Sequence, residues 1–176
     1  MGQTLSQLGR RAGLRMYGTA SAPGSAELLA RHGVALIDRL FAAGLRPLGL
    51  TPAQAEVLTV LADSAPLTLS GLGELLICES GTNPSRLVDR MVGVGLVDRE
   101  VASDDRRHIL LSLTAEGTAL AGQVAAVEAE LESTLETLIA GRTTAPALAL
   151  LRRMAGNFPA GQALERRKEL ASRPTV

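Results

Sequence analysis

The segment from Leu50 to Thr114 contains a closely spaced series of helix starts and stops, which constrains the fold more than any other feature of the chain. Thr51-Pro-Ala-Gln54 combines an N-capping threonine, a proline at the first helical position and a glutamine that completes a capping box, so we expect a helix to about residue 62. Ser70 is expected to cap a short second helix. Pro84 must lie in the first turn of a third helix, since deeper inside it would remove a hydrogen bond and clash.

A two-stranded hairpin is predicted to follow the third helix. That helix should begin near residues 80–82 and end at Gly95, a left-handed cap, with Leu87, Met91 and Val94 facing inward. Leu96-Val97 and His108–Leu113 are strand-like, and the ten residues between them are rich in charge. Three helices followed by a hairpin are the layout of a winged helix-turn-helix. The predicted fold class is therefore mainly α with a small β-hairpin.

Helical segments flank this lobe on both sides. Apolar residues at helical spacing predict a first helix over residues 26–43, which Gly44 and Pro47 should end. A long helix is predicted from Thr114 to about residue 140, and a last helical region covers residues 146–171. The residues before the first helix are expected to form a flexible arm.

Composition agrees with a folded helical protein. Hydrophobic residues make up 46% of the 176 residues and aromatic residues only 2%, so the core must consist largely of leucine, valine and alanine. No apolar run reaches the roughly 18 residues that a membrane span requires. The single cysteine, Cys78, excludes an intramolecular disulfide and a cysteine-rich metal site. We therefore expect a cytoplasmic protein with no metal, cofactor or membrane partner.

The net charge of zero gives no global support for binding a polyanion, and the charge is unevenly distributed. Residues 47–113 carry five arginines and nine acidic residues, whereas residues 141–176 carry seven basic and two acidic residues. DNA-binding domains usually present a basic patch. Binding to DNA would therefore depend on a few well-placed arginines and on the basic termini.

The third helix and the hairpin tip carry the residues best suited to contact double-stranded DNA. Arg86 and Arg90 lie one turn apart on one helix face, where both can reach phosphates or base edges in the major groove. Their alternative role is a surface ladder of ion pairs with Asp89. Short polar residues at the helix start suit base edges or helix capping. The candidate residues are Thr82, Asn83, Ser85, Arg86 and Arg90 on the helix, and Arg106 and Arg107 at the tip, which would reach the adjacent minor groove.

Five short motifs in this region resemble the MarR family of bacterial transcription regulators. They are Leu50-Thr-x-x-Gln54, Ser85-Arg-Leu-Val-Asp-Arg90, Gly95-Leu-Val-x-Arg99, Asp105-Arg-Arg107 and Leu113-Thr-x-x-Gly117, in the order and with the spacing of the family. The resemblance implies that Asp105 pairs with one arginine of the tip and orients it, while the other arginine enters the minor groove.

The same resemblance implies an obligate homodimer on a palindromic operator, most often a repressor that a small-molecule effector releases from DNA. On this basis the chain is divided into a flexible arm (1–23), a dimerisation helix (24–46), a winged helix-turn-helix lobe (47–114) and C-terminal dimerisation helices (115–176). His32 and Phe41 are the candidates for contact with the effector.

Other interpretations remain open. The acidic excess over the lobe favours a helical interaction module that has kept the fold and lost DNA binding. His108 beside Asp105 would suit a small enzyme, but no nucleophile stands near it in sequence, so a surface histidine and a protein that is not an enzyme are expected. Cys78 is either a redox-sensitive thiolate at the start of the next helix or a buried structural residue.

Overall fold

The structure is a computed structural model that describes residues 26–77, 83–101 and 108–172. The predicted arm (1–23), Cys78, Thr82 and the tip residues Asp105, Arg106 and Arg107 lie outside these described residues. The chain divides into two compact units, one ending at residue 43 and the other beginning at residue 44. The second unit contains the predicted lobe and all later helices.

The described elements follow the predicted order of helices and hairpin. The helices are α1 (Ala26–Leu45), α2 (Pro52–Ser64), α3 (Leu69–Leu75), α4 (Pro84–Gly93), α5 (Ala115–Ile139), α6 (Ala145–Ala155) and α7 (Pro159–Ala171), with a 3-10 turn at Arg46–Leu48. The strands are β1 (Leu67–Thr68), β2 (Val97–Val101) and β3 (Ile109–Leu113). The mainly helical class with a small hairpin is confirmed, and the hairpin gains one additional short strand.

The start of α2 forms as its sequence predicts. The Thr51 hydroxyl accepts a hydrogen bond from the Gln54 backbone N–H at 3.3 Å, and the Gln54 side chain accepts one from the Thr51 N–H at 3.0 Å. Pro52 occupies the first helical position, where it has no hydrogen bond to lose. The helix continues to Ser64, two residues beyond the expected end. The capping box therefore predicted the start of this helix accurately, whereas its end was predicted two residues too early.

The end of α1 differs from the expectation at Gly44. The helix passes through Gly44 and ends at Leu45, and the proline-containing 3-10 turn follows directly. A Cβ atom on Gly44 would lie 2.6 Å from a methyl carbon of Val127 in α5. The glycine thus serves close helix packing there, and the left-handed stop falls on Gly49, whose φ is +69°.

The cap of α3 also differs from the expectation, because the helix begins earlier than predicted. Thr68, not Ser70, is the N-cap, and its hydroxyl accepts a hydrogen bond from the Gly71 N–H at 3.0 Å. Leu67 and Thr68 form β1 and pair with Leu111 and Leu110 of β3. The pairing holds the chain extended up to Thr68, so the helix can only begin at the next residue.

The sheet is antiparallel in the order β1–β3–β2. Val97 pairs with Leu113 and Val101 with Ile109, so the hairpin register spans the full length of both strands. Val97 and Leu111 are buried on the inner face, whereas the charged residues of β2 are exposed. The strand therefore extends four residues into the charged segment that was predicted to lie between the strands.

Helix α2 lies at the centre of the lobe, where it packs against α3, α4, α5 and β3. Val57, Leu58 and Leu61 of α2 are at most 1% exposed. Fully buried residues from the other elements complete this core: Leu45, Leu72, Val88, Met91, Val97, Leu111 and Val124. The core of the described lobe consists of aliphatic side chains and methionine, as the low aromatic content requires.

The junction between the hairpin and α5 is tightly packed. The Thr114 hydroxyl donates to the Gly95 carbonyl at 2.7 Å, and the Thr114 N–H donates to the Leu96 carbonyl at 3.2 Å. The same hydroxyl caps α5 by accepting from the Gly117 N–H at 2.9 Å. A Cβ atom on Gly117 would lie 2.0 Å from the Leu96 carbonyl oxygen. Thr114 and Gly117 thus join the end of the hairpin to the start of the long helix.

Candidate nucleic-acid interface

Helix α4 has one face in the core and one face exposed. Leu87, Val88 and Met91 are at most 3% exposed. Arg86 and Arg90, four residues apart, lie together on the exposed face. The helix is therefore held by its apolar side and presents two guanidinium groups on the other.

The end of α4 corrects one detail of the predicted core. Val94 was expected to face inward, but it is 62% exposed. The helix ends at Gly93, Val94 is the C-cap, and Gly95 adopts a φ of +76°. Since the chain leaves the helix at Val94, the helical spacing no longer determines the direction of its side chain. Gly95 is the left-handed residue that the sequence predicted.

Asn83 is the N-cap of α4, the helix whose start the sequence predicted near residues 80–82. Its side-chain oxygen accepts a hydrogen bond from the Ser85 N–H at 3.0 Å, and Pro84 follows at the first helical position. The capping role of Asn83 is therefore present, and the side chain is exposed with its amide NH₂ group available to donate. Ser85 is half-buried, so its hydroxyl is less accessible than the Asn83 amide.

Asp89 is paired with the hairpin and not with the helix arginines. An Asp89 carboxylate oxygen lies 2.5 Å from a guanidinium nitrogen of Arg99 in β2. Within the described residues, neither Arg86 nor Arg90 has a carboxylate at salt-bridge distance. The pair is largely solvent-exposed, so it contributes at most about 1 kcal/mol. Its consequence is geometric, because it joins α4 to β2 and leaves Arg86 and Arg90 for other contacts.

The role of Arg99 was not predicted, although the residue belongs to one of the five motifs. Arg99 lies in β2 and Asp89 in α4, ten residues earlier. A carboxylate on the exposed face of one element and an arginine on the next occur together in many sequences, so this pattern does not by itself predict an ion pair. Only the turn at Gly95, which folds the strand back along the helix, brings these two side chains together.

The acidic excess of the lobe is partly balanced by a distant segment. Glu56 of α2 forms an ion pair at 2.6 Å with Arg167 of α7, which lies in the basic C-terminal part of the sequence. Glu128 of α5 is half-buried, and this burial raises its pKa above the ordinary range, while a hydrogen bond from Thr59 and the charge of Arg167 lower it in part. One of the nine acidic residues counted over residues 47–113, Glu56, is therefore paired with a base from outside that range.

The structure describes only some of the other predicted site residues. His108 is exposed just before β3, and its predicted neighbour Asp105 lies outside the described residues. Phe41 is half-buried on α1, and the side chain of His32 is outside the description. In the described part of the chain, no group of three or more acidic, histidine or cysteine residues is arranged to hold a metal ion.

No helix among the described residues has the length and apolar character required to cross a membrane.

Sequence comparison places the lobe in a known family. A model of the MarR family matches residues 48–108, which extend from the end of the 3-10 turn to the start of β3. The multiple antibiotic resistance protein MarR of Escherichia coli K12 is 36% identical over 86 residues, covering 49% of this chain and 59% of that protein. The matched segment thus spans less than two thirds of this curated relative.

Comparison with solved structures extends the match beyond the lobe. A cysteine-to-serine variant of Escherichia coli MarR complexed with operator DNA has a TM-score of 0.61 and 32% identity, covering 72% of this chain and 92% of that chain. The apo form of wild-type MarR gives 0.58 and 29%, with 73% and 96% covered. A Staphylococcus aureus MepR–DNA complex, at 21% identity and a TM-score of 0.66, supports the fold alone. The motifs, the helix–hairpin geometry and these matches agree, and the chain belongs to the MarR family of transcription regulators.

Proposed function

We propose that this protein binds double-stranded DNA as a homodimeric transcription regulator, with α4 as the recognition helix in the major groove. The observation that carries the proposal is the exposed face of α4. Arg86 and Arg90 lie there one turn apart and form no ion pair within the described residues, while the opposite face is buried. Arginine in this position suits bidentate contact with guanine or with phosphate. Asn83, at the start of the same helix, adds an exposed amide donor.

A second copy of the chain is the proposed partner. Apolar side chains at the end of α5, on α6 and before α7 are exposed in the single chain: Leu138, Ile139, Leu148, Leu150, Leu151 and Phe158. Clustered exposed apolar residues mark protein–protein contact surfaces. In a dimer with twofold symmetry, two α4 helices would meet half-sites about 10 bp apart, one turn of DNA, which requires a palindromic operator.

The hairpin and the effector complete the proposed mechanism. Arg106 and Arg107 would reach the adjacent minor groove, with Asp105 orienting one of them, and narrow grooves attract such arginines electrostatically. A small molecule that binds to the dimerisation helices would favour a lobe spacing that does not match the operator, and so release the DNA. A regulator of this kind acts most simply as a repressor. His32 and Phe41 are the proposed effector contacts.

Selection from a pool of random duplexes, followed by fluorescence anisotropy at several salt concentrations, tests the proposal. The affinity for the selected duplex should fall steeply with salt, because arginines that neutralise phosphates release counterions. Arg86→Ala should weaken binding by about 1–3 kcal/mol if the side chain contacts a guanine. Arg142→Ala removes the same charge from an exposed position after α5 and is the control. Equal affinities for the two variants would reject the assignment of Arg86.

An interaction module without DNA binding is the second candidate, and the nine acidic residues against five arginines over residues 47–113 favour it. It predicts that no duplex is enriched by selection and that any residual binding is independent of salt. The same experiment therefore separates the two functions.

A further inference from the structure

Helix α7 makes polar contacts with the lobe that neither its place in the sequence nor its family assignment explains. An Arg167 guanidinium nitrogen lies 2.6 Å from a Glu56 carboxylate oxygen, and Arg167 Nε donates to the Leu75 carbonyl at 2.8 Å. The neighbouring Arg166 donates to the Glu74 carbonyl at 3.1 Å. These residues of α7 are 92 or more positions away in the chain from their partners. Two consecutive arginines thus contact the C-terminal end of α3.

Glu56 connects this arginine to the backbone that leads towards the proposed recognition helix. The carboxylate oxygen that binds Arg167 also accepts a hydrogen bond from the Ile77 N–H at 2.6 Å. Ile77 is the last described residue before positions 78–82, which connect α3 to the Asn83 cap of α4. One carboxylate on α2 therefore holds both α7 and Ile77, at the start of the segment that connects α3 to α4.

The charges, the position at a helix end and the burial of these groups all favour a strong interaction. The last carbonyl groups of a helix have no partner within the helix, and a cation at this end also interacts favourably with the helix dipole. Hydrogen bonds between ionised groups, or from a backbone N–H to a carboxylate, are shorter and stronger than neutral ones. The Glu56 side chain is only 10% exposed and the Arg167 side chain 25%, so water competes little for either group. Removing the arginine would take a charged partner away from a largely buried carboxylate, which is costly.

We propose that Arg167 is a positioning residue for DNA binding: through Glu56 and the Leu75 carbonyl it fixes the start of the turn that aims α4 at the major groove. The inference rests on the proposed function, since it assigns Arg167 a role in the accuracy of DNA contact and none in touching DNA. It makes α7 a functional part of the DNA-binding lobe. Any change that shifts α7 would then act on the direction of the recognition helix.

Two substitutions on the same helix provide a matched test. Arg167→Ala removes the contact with Glu56 and Leu75. Lys168→Ala removes an equal charge one residue later, where the ammonium group pairs with Glu165 of the same helix at 2.8 Å. Arg167→Lys keeps the charge but cannot engage Glu56 and the Leu75 carbonyl with the fork geometry of a guanidinium. All variants are tested as full-length protein.

The probes are the duplex selected by the wild-type protein and a scrambled duplex of the same composition. Arg167→Ala should lose about tenfold in affinity for the selected duplex, equivalent to roughly 1.4 kcal/mol, with little change on the scrambled duplex or in the salt dependence. Lys168→Ala should stay within about twofold of wild type and Arg167→Lys should be intermediate. Hydrogen exchange of the Ile77 amide, measured without DNA, should be faster in Arg167→Ala than in Lys168→Ala.

Each outcome decides a different question. A wild-type protein that selects no duplex overturns the proposed function, and this inference with it. A wild-type protein that selects a duplex which Arg167→Ala binds equally well overturns the positioning role alone. Equal losses on the selected and scrambled duplexes, together with a lower melting temperature, would assign Arg167 a purely structural role and also overturn the inference.

Discussion

The two halves of helix α5 have similar apolar spacing but opposite surroundings. In the first half Gly117, Ala121 and Val124 are buried, and the helix packs against α2 of the lobe. In the second half Leu138 and Ile139 are 67% and 46% exposed. Apolar residues at helical spacing therefore predict that a helix has an apolar face, but they do not tell whether that face is covered by the same chain.

The same contrast separates the lobe from α6. The lobe has its own core of fully buried aliphatic residues, whereas Leu150 and Leu151 of α6 are 57% and 59% exposed. The apolar residues of the lobe are covered by the lobe and by its neighbouring helices, and the apolar surface of α6 lacks a partner in the described single chain. The difference supports the proposal that the second part of the protein is completed by another copy.

The greatest loss of stability is expected from a substitution in the core of the lobe. Leu58→Ala removes a fully buried side chain from α2 and should lower the free energy of unfolding by about 2–5 kcal/mol, because the surrounding helices cannot close the cavity. Urea denaturation followed by circular dichroism at fixed protein concentration measures this loss. A loss below about 1 kcal/mol would show that the lobe core repacks freely.

Leu151→Glu is the counterpart on the exposed α6 surface. The change should shift the protein from dimer to monomer in sedimentation experiments, since a carboxylate would be buried in the proposed interface. The circular dichroism signal of the lobe should persist. Unaltered sedimentation would exclude this surface from the dimer contact.

A smaller loss of stability is expected at the junction between the hairpin and α5. Gly117→Ala should cost about 1–3 kcal/mol, because the new methyl group meets the backbone carbonyl of Leu96 and the junction must open. Gly122→Ala on the same helix is the control. No atom lies within 4 Å of the added Cβ, so the gain in helix propensity should stabilise the protein by up to about 1 kcal/mol. Thermal denaturation of both variants should give shifts of opposite sign.

The smallest expected effect is a pH dependence of stability, and it arises from Glu128 of the same helix. Burial raises the pKa of Glu128, so the folded state favours the protonated carboxyl. Its contribution to stability is fully present below the ordinary pKa of glutamate and is lost as the pH rises through the raised pKa. Glu128→Gln cannot ionise, so its melting temperature relative to wild type should increase between pH 4 and pH 7.

Glu132→Gln, which removes an exposed carboxylate one turn later, is the control for this comparison. A Glu128→Gln variant with the same pH profile as the control would show that the half-buried carboxyl has no coupling to folding. Different pH profiles for the two variants would distinguish the side of α5 that faces the lobe from its exposed side.

Sequence alone predicted the parts of the fold that depend on local chemistry. The capping box at Thr51, the proline at position 84 and the left-handed glycine at position 95 each act within a few residues, and all three appear as expected. Features that depend on distant partners were missed. The strand β1 exists only because β3 pairs with it, and this pairing moved the cap of α3 to Thr68.

The residues of the candidate site also divide into those predicted from local spacing and those whose contacts depend on distant partners. The exposed face of α4 follows from helical spacing, so Arg86 and Arg90 could be placed correctly on the surface. The partners Asp89–Arg99 and Glu56–Arg167 could not, because each depends on how separate elements fold together. A charge count over residues 47–113 could not include Arg167, which lies more than fifty residues beyond it.

The hydrogen bonds of Thr114 have a mechanical consequence for the lobe and the long helix α5. Its hydroxyl and amide bind the carbonyls of Gly95 and Leu96, so the residues that follow α4, the base of the hairpin and the start of α5 meet at one joint. Helix α5 has 25 residues and is about 37 Å long at 1.5 Å per residue. As a rigid lever of that length, it converts a displacement of about 4 Å at its far tip into a rotation of roughly 6° at the joint. In the proposed dimer, small shifts between the two copies would thus be passed through α5 to the end of the lobe that carries α4.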